Sequence, residues 1–166
     1  YTEEQIEKDP YLKSMQKSYA VKNEKRRLMK NFGTLDLTSM NLNLYAVDNV
    51  EISIAKNVVV VPNESEVLIK KNRDFSFSGW VNAGKLEMNT TASNFLYEEY
   101  KIQILETKRS VFRVRPLRQE DGMKSIPMVS SIYGISGELL IDDVTNRSGV
   151  NDYFEDYPVL KSTSKS

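Results

Sequence analysis

The sequence predicts a mainly β protein: a parallel β-solenoid or β-helix-like stack of short strands, opened by a short N-terminal helical segment. Two observations predict it. From Val50 to Val114 apolar residues keep alternating with polar ones, so that every second side chain falls on one buried face. The short apolar pairs are punctuated by Asn49, Asn57, Asn63 and Asn72, while Asn-Gly is missing and the one Asp-Gly, Asp121-Gly122, sits in a polar loop. Two-residue hairpins prefer those dipeptides, so their scarcity points to stacked coils, each burying an apolar stripe against the next. An antiparallel β-sandwich is the alternative that the same series of short strands allows.

The elements follow in order. Thr2 ahead of Glu3 and Glu4 suits a helix start, with carboxylates at the positive end of the dipole, and Pro10 interrupts it. Leu12, Met15 and Tyr19 then share a helical face until the basic run Lys22 to Arg27, which gives a helical, basic segment over residues 1–32 able to cap the end of a sheet. After Gly33 the period changes to two. Leu35 and Leu37, Leu42 and Leu44, Val50 with Ile52 and Ile54, and Val58 with Val60 mark successive strands, the last stopped by Pro62. Val67 and Ile69, Phe75 and Phe77, Leu86 and Met88, Tyr100 with Ile102 and Ile104, and Val111 with Phe112 and Val114 continue the series. Glu120 to Ser125 reads as a loop, and Leu139 with Ile141 as a further strand. The β-rich domain spans residues 33–142, and residues 143–166, with Asn146, Ser148, Gly149 and Pro158, read as an irregular acidic and aromatic tail.

Composition bounds the function classes. The 166 residues suit one ordinary domain. Lys+Arg and Asp+Glu number 23 each, so net charge offers no argument for nucleic acid. The longest aliphatic run is Val58 to Val61, too short to cross a bilayer as a helix. The chain has no Cys and no His, which removes disulfides, thiolate catalysis, histidine metal sites and a Ser-His-Asp triad. The start at Tyr1 and the end in "STSKS" suggest an excised piece of a longer chain.

"KKNRDFSFSG", "NAGKLE" and "IDDVTNRSG" are the most specific words of a stretch, about Leu35 to Ser166, that resembles part of a family of very large, exported proteins of Bacteroidota. The resemblance implies a β-rich, solenoid-like region inside a long chain, a place outside the cytoplasm or in the cell envelope, and no assigned activity. It carries over no catalytic residue, and residues 1–32 take no part in it.

Individual motifs favour structure over chemistry. Gly79 to Leu86 comes within one residue of a phosphate-binding P-loop, but Leu86 stands where a hydroxyl must ligate magnesium, and Lys85 to Met88 alternates like a strand. Ser14 to Lys17 and Ser162 to Lys165 match Ser-x-x-Lys without the companion motifs that make it a nucleophile. Asp142, Asp143, Asn146 and Asp152 are the candidates for a hard cation such as calcium, although the spacing is not that of an EF-hand and an Asx-rich turn explains them equally. Tyr153, Phe154 and Tyr157 are the candidates for a ligand-binding surface, because aromatic and acidic residues intermix there without a strand period.

The resulting expectation is a non-enzymatic structural or binding module of a larger exported protein. It uses no cofactor, and its partners are neighbouring regions of the parent chain, a carbohydrate or another protein. The alternative is a polysaccharide-active, lyase-like β-helix enzyme using carboxylates with Lys or Arg, a chemistry that needs neither His nor Cys. A third possibility is an acidic partner held by the basic segment Lys13 to Lys30.

Overall fold

A computed structural model describes residues 32–114, 126–151 and 156–163. These residues form eleven strands. The first five are short: β1 (Gly33–Asp36), β2 (Asn41–Leu44), β3 (Val50–Ser53), β4 (Val58–Pro62) and β5 (Val67–Ile69). Three long strands follow: β6 (Phe75–Ala83), β7 (Leu86–Leu96) and β8 (Lys101–Val114). Then come β9 (Ile126–Ile132), β10 (Gly137–Leu140) and β11 (Val159–Ser162). The strict alternation of buried and half-buried residues along all of β6 is what the sequence period of two requires of a sheet with one buried face.

Every pairing is antiparallel. The main path runs β1-β2-β5-β6-β7-β8-β10-β11, with β3 and β4 joined to the side of β6 and β9 to the side of β8. The sheet forks because its three long strands bend. The first residues of β6 pair with β5 and its last five with β4. The first residues of β8 pair with β10 and its last ones with β9. Register shifts mark the bends: between Phe77 and Gly79 on β6, and at three places between Asn89 and Ser93 on β7. Bulges of this kind bend a strand and raise its twist, which lets one strand serve two layers. The layers then meet: the Tyr100 hydroxyl donates to Ile52 O at 3.1 Å, and a Cβ at Gly84 would stand 3.5 Å from the Pro158 ring.

One apolar row crosses the whole path. Leu35, Leu42, Ile69, Phe75, Phe95, Ile102, Leu139 and Leu160 are successive directly opposite partners, one from each of the eight strands. Directly opposite residues share a face and contact each other, so the row is the spine of the core. Phe75 and Phe95 stack with ring centroids 4.9 Å apart, and Tyr100 meets Phe95 edge-on at 6.4 Å. Val58, Val60, Val81 and Met88 belong to the same buried cluster. The opposite face carries a polar row, Thr34, Asn43, Leu68, Ser76, Asn94, Gln103, Glu138 and Lys161, in which Leu68 is the apolar exception.

The parallel solenoid is therefore corrected to an open antiparallel sheet folded into two layers, the arrangement that the sandwich alternative describes. No helix stands among the described residues, and the helical segment expected over residues 1–32 falls, except for Phe32, outside them. The reversal has a physical cause. Reversals here do not use Asn-Gly. Apart from the Gly84-Lys85 turn, four of them end on non-glycine residues with positive φ: Met40 (59°), Asn57 (50°), Arg73 (70°) and Tyr100 (48°). In three of them that residue's N–H returns to a carbonyl three positions back, as in Asn57 to Ile54 O at 3.1 Å and Tyr100 to Tyr97 O at 3.3 Å. Four-residue hairpin loops need one left-handed residue, and any of several side chains can supply it. The tail expected to be irregular supplies β11, and residues 89–96, which carry no clear apolar alternation, complete β7.

Candidate functional site

The loop that follows β10 carries three of the four expected cation ligands. Asp142 is buried, and both its oxygens accept hydrogen bonds: Oδ1 from the Asp143 N–H at 2.8 Å and Oδ2 from Asn146 Nδ2 at 2.9 Å. Asn146 closes the loop, donating to Asn151 O at 2.9 Å and accepting from the Asn151 N–H at 3.0 Å. Asp143 accepts from the hydroxyl and the N–H of Thr145, and these bonds hold its carboxyl below the usual carboxylate range. Asp142 and Asn146 are thus brought together, Asp143 faces Thr145, and Asp152 lies outside the described residues. Asn146 turns N–H groups towards Asp142, where a cation would need oxygens. Among the described residues no three acidic side chains converge. Of the aromatic candidates only Tyr157 is described, half-buried ahead of Pro158; Tyr153 and Phe154 lie outside.

The same corner holds a cluster that the sequence did not announce. Arg73 ends the β5–β6 turn, with its N–H bonded to Lys70 O at 2.9 Å. Asp74 fixes that turn against the next one, accepting from the Tyr97 N–H at 2.8 Å and from Asn72 Nδ2 at 2.7 Å. The Arg73 guanidinium lies 3.9 Å from the Tyr97 ring centroid, and that of Arg147, from the loop after β10, lies at 5.2 Å. Two cations on one ring repel each other, and Glu98 offsets this: Oε1 meets Arg73 Nη2 at 3.2 Å and Oε2 meets Arg147 Nη2 at 3.4 Å. Arg147 also donates to Glu98 O at 2.6 Å. Tyr100 lies beneath, its hydroxyl shared between Ile52 O and Arg147 O, and burial raises its pKa above the ordinary phenol value.

This arrangement joins three loops through one aromatic ring and presents cations to solvent. Lys70, Lys71 and Arg73 follow one another in "KKNRD", but nothing in the sequence pairs that word with Tyr97 and Arg147, because two turns and a loop remote in the chain must first be brought together by the sheet. The Gly79 to Leu86 near-match of a P-loop is the end of β6, the two-residue turn Gly84-Lys85 and the start of β7, so no helix N-terminus faces it. Ser162 is part of β11, whereas Lys165, the Ser14 to Lys17 pair and the basic segment Lys13 to Lys30 lie outside the described residues. No helix of the described residues is long and apolar enough to cross a membrane. Comparison of the chain with protein-family models, with curated proteins and with solved structures found no match.

Proposed function

We propose that this chain is a non-enzymatic structural or binding module of a larger exported protein, a segment of β scaffold whose sheet is continued by neighbouring regions of the parent chain. One observation supports it above the others: the apolar row outruns the core. Ile102 is fully buried near the middle of the row, whereas Leu35 at its end is 48% exposed. Phe32, Leu37 and Met40 stand exposed around the same hairpin. An apolar face that continues past its own cover is the signature of a surface completed by further protein. The resemblance to long β-rich chains of Bacteroidota points the same way and is the ground for placing the module outside the cytoplasm.

The lyase-like alternative depended on a β-helix, and the antiparallel sheet removes that premise. Backbone hydrogen exchange tests the scaffold reading, comparing this chain alone with a longer piece of the parent protein that contains it. The amides of Leu35, Leu42 and Leu44 should gain protection in the longer piece. Equal exchange in both, with the core strands protected throughout, would overturn the reading.

A further inference from the structure

We propose that the corner where Arg73 and Arg147 meet over Tyr97 binds an oxyanion, a sulfate, phosphate or carboxylate group. This goes beyond the scaffold reading and stands independently of it.

The argument is one of unmatched donors. Two guanidinium groups, Arg73 from the β5–β6 turn and Arg147 from the loop after β10, meet at the Tyr97 ring, with Glu98 between them and Asp74 next to Arg73 in the chain; Lys70 and Lys71 belong to the same turn as Arg73. Asp74 is committed to the Tyr97 N–H and to Asn72, so it does not serve the cations. Glu98 alone faces the two guanidinium groups, with one oxygen on each at 3.2 and 3.4 Å, and neither contact is the two-pronged fork that makes an arginine–carboxylate pair strong. Both Arg73 and Glu98 side chains are about two-thirds exposed, at 63% and 66%, where such pairs contribute little. Arg147 Nε is buried with no hydrogen-bond partner among the described residues. The exposed Arg73 guanidinium, held by a single contact to Glu98, therefore keeps directed N–H donors open to solvent at this corner.

The donors are also held in place. The Tyr97 ring lies against the Arg73 guanidinium; the Tyr97 backbone N–H is bonded to Asp74, and the ring is held by its edge-on contact with Phe95 at 6.4 Å. Stacking on an aromatic face restrains a guanidinium without using its N–H groups, so they stay available to a planar or tetrahedral oxyanion. Glu98 occupies the position of the ligand, reaching both arginines from within the chain. An arriving anion displaces it, and removing its charge strengthens binding.

Amide chemical shifts test this, with sodium sulfate and dextran sulfate titrated at equal sulfate-group concentration and constant ionic strength. Saturable shifts confined to residues 70–74, 97–98 and 146–148 are expected. Arg73→Gln should weaken binding at least tenfold, and Glu98→Gln should tighten it severalfold, both with the rest of the spectrum unchanged. Tighter binding of dextran sulfate assigns the site to an anionic group carried on a polymer, and equal binding assigns it to the free ion. Absence of saturable shifts in both titrations, or equal affinity in Arg73→Gln, would overturn the proposal.

Discussion

At the scale of the residue, backbone conformation is the sharpest constraint. Gly79 lies at the β6 bend with φ at +143°, and a Cβ there would stand 2.2 Å from Val61 O. The contact is with the backbone of β4, which cannot move aside without giving up its ladder. Gly79→Ala should cost about 3 kcal/mol or more, read as a lower midpoint in urea unfolding. Tyr100 makes a different prediction. Its phenol holds its proton more tightly folded than unfolded, so the two states differ only above about pH 10, where the unfolded chain ionises first. The folded state then binds more protons, and stability falls as pH rises. Lys101 acts on the same limb: its pKa is raised by the Glu138 bond at 2.8 Å and by Glu99, so that pairing is full below about pH 10.5 and fades above it. Tyr100→Phe should therefore flatten the alkaline limb of the stability profile without abolishing it, and at neutral pH cost about 1 kcal/mol for the lost hydrogen bond. Neither Gly79 nor Tyr100 was legible in that role. A glycine inside an alternating stretch signals a bulge, but which backbone approaches it depends on strands distant in sequence.

At the scale of the element, the long strands bend where their core-facing side chains turn small and polar. Thr90, Ser93 and Ser110 are buried, and their hydroxyls have no hydrogen-bond partner among the described residues. Thr107, opposite Thr90, instead accepts the Ile135 N–H at 2.9 Å and anchors the approach to β10. A buried hydroxyl without a partner carries its desolvation cost uncompensated, so an apolar group of the same shape relieves it. Thr90→Val should leave the unfolding midpoint unchanged or raise it by up to about 1 kcal/mol, whereas Thr107→Val should lower it, because the Ile135 N–H loses its acceptor. These residues also explain what the sequence showed of the strands and what it hid. Phe75 to Ala83 alternates cleanly and was legible; "NTTASN" does not, because the bend needs small polar residues where a flat strand would carry aliphatic ones. The turns were hidden for the complementary reason. Arg73 and Tyr100 adopt positive φ that their residue types do not advertise, so hairpins looked like the corners of coils.

At the scale of the whole molecule, the transverse row turns a list of strands into one cooperative object, and its burial gradient makes a quantitative claim. Ile102 is fully covered near the centre, while Leu35 and Leu42 extend along a hairpin held to the sheet through the three residues of β5. Six of the eight apolar positions of that row were legible in the sequence; Phe95 and Leu160 stand in stretches that carry no clear strand period. The joining of the row into a single line was not legible, since it depends on seven registers that period-two alternation leaves free. Truncating the centre removes buried methyl groups and leaves a cavity that neighbours on both flanking strands cannot fill, so Ile102→Ala should cost about 3–4 kcal/mol. Truncating the end removes surface that water already touches, so Leu35→Ala should cost less than about 1 kcal/mol in the chain alone. If the parent chain completes the sheet over β1, the two values must converge: within the longer protein Leu35→Ala should cost at least about 1 kcal/mol more than it does in isolation, while the cost of Ile102→Ala stays the same. Urea unfolding of the unsubstituted protein and both variants, each in both contexts, decides it. An unchanged cost for Leu35→Ala would mean that the exposed end of the row is a free edge, and that the sheet ends where its hydrogen bonds do.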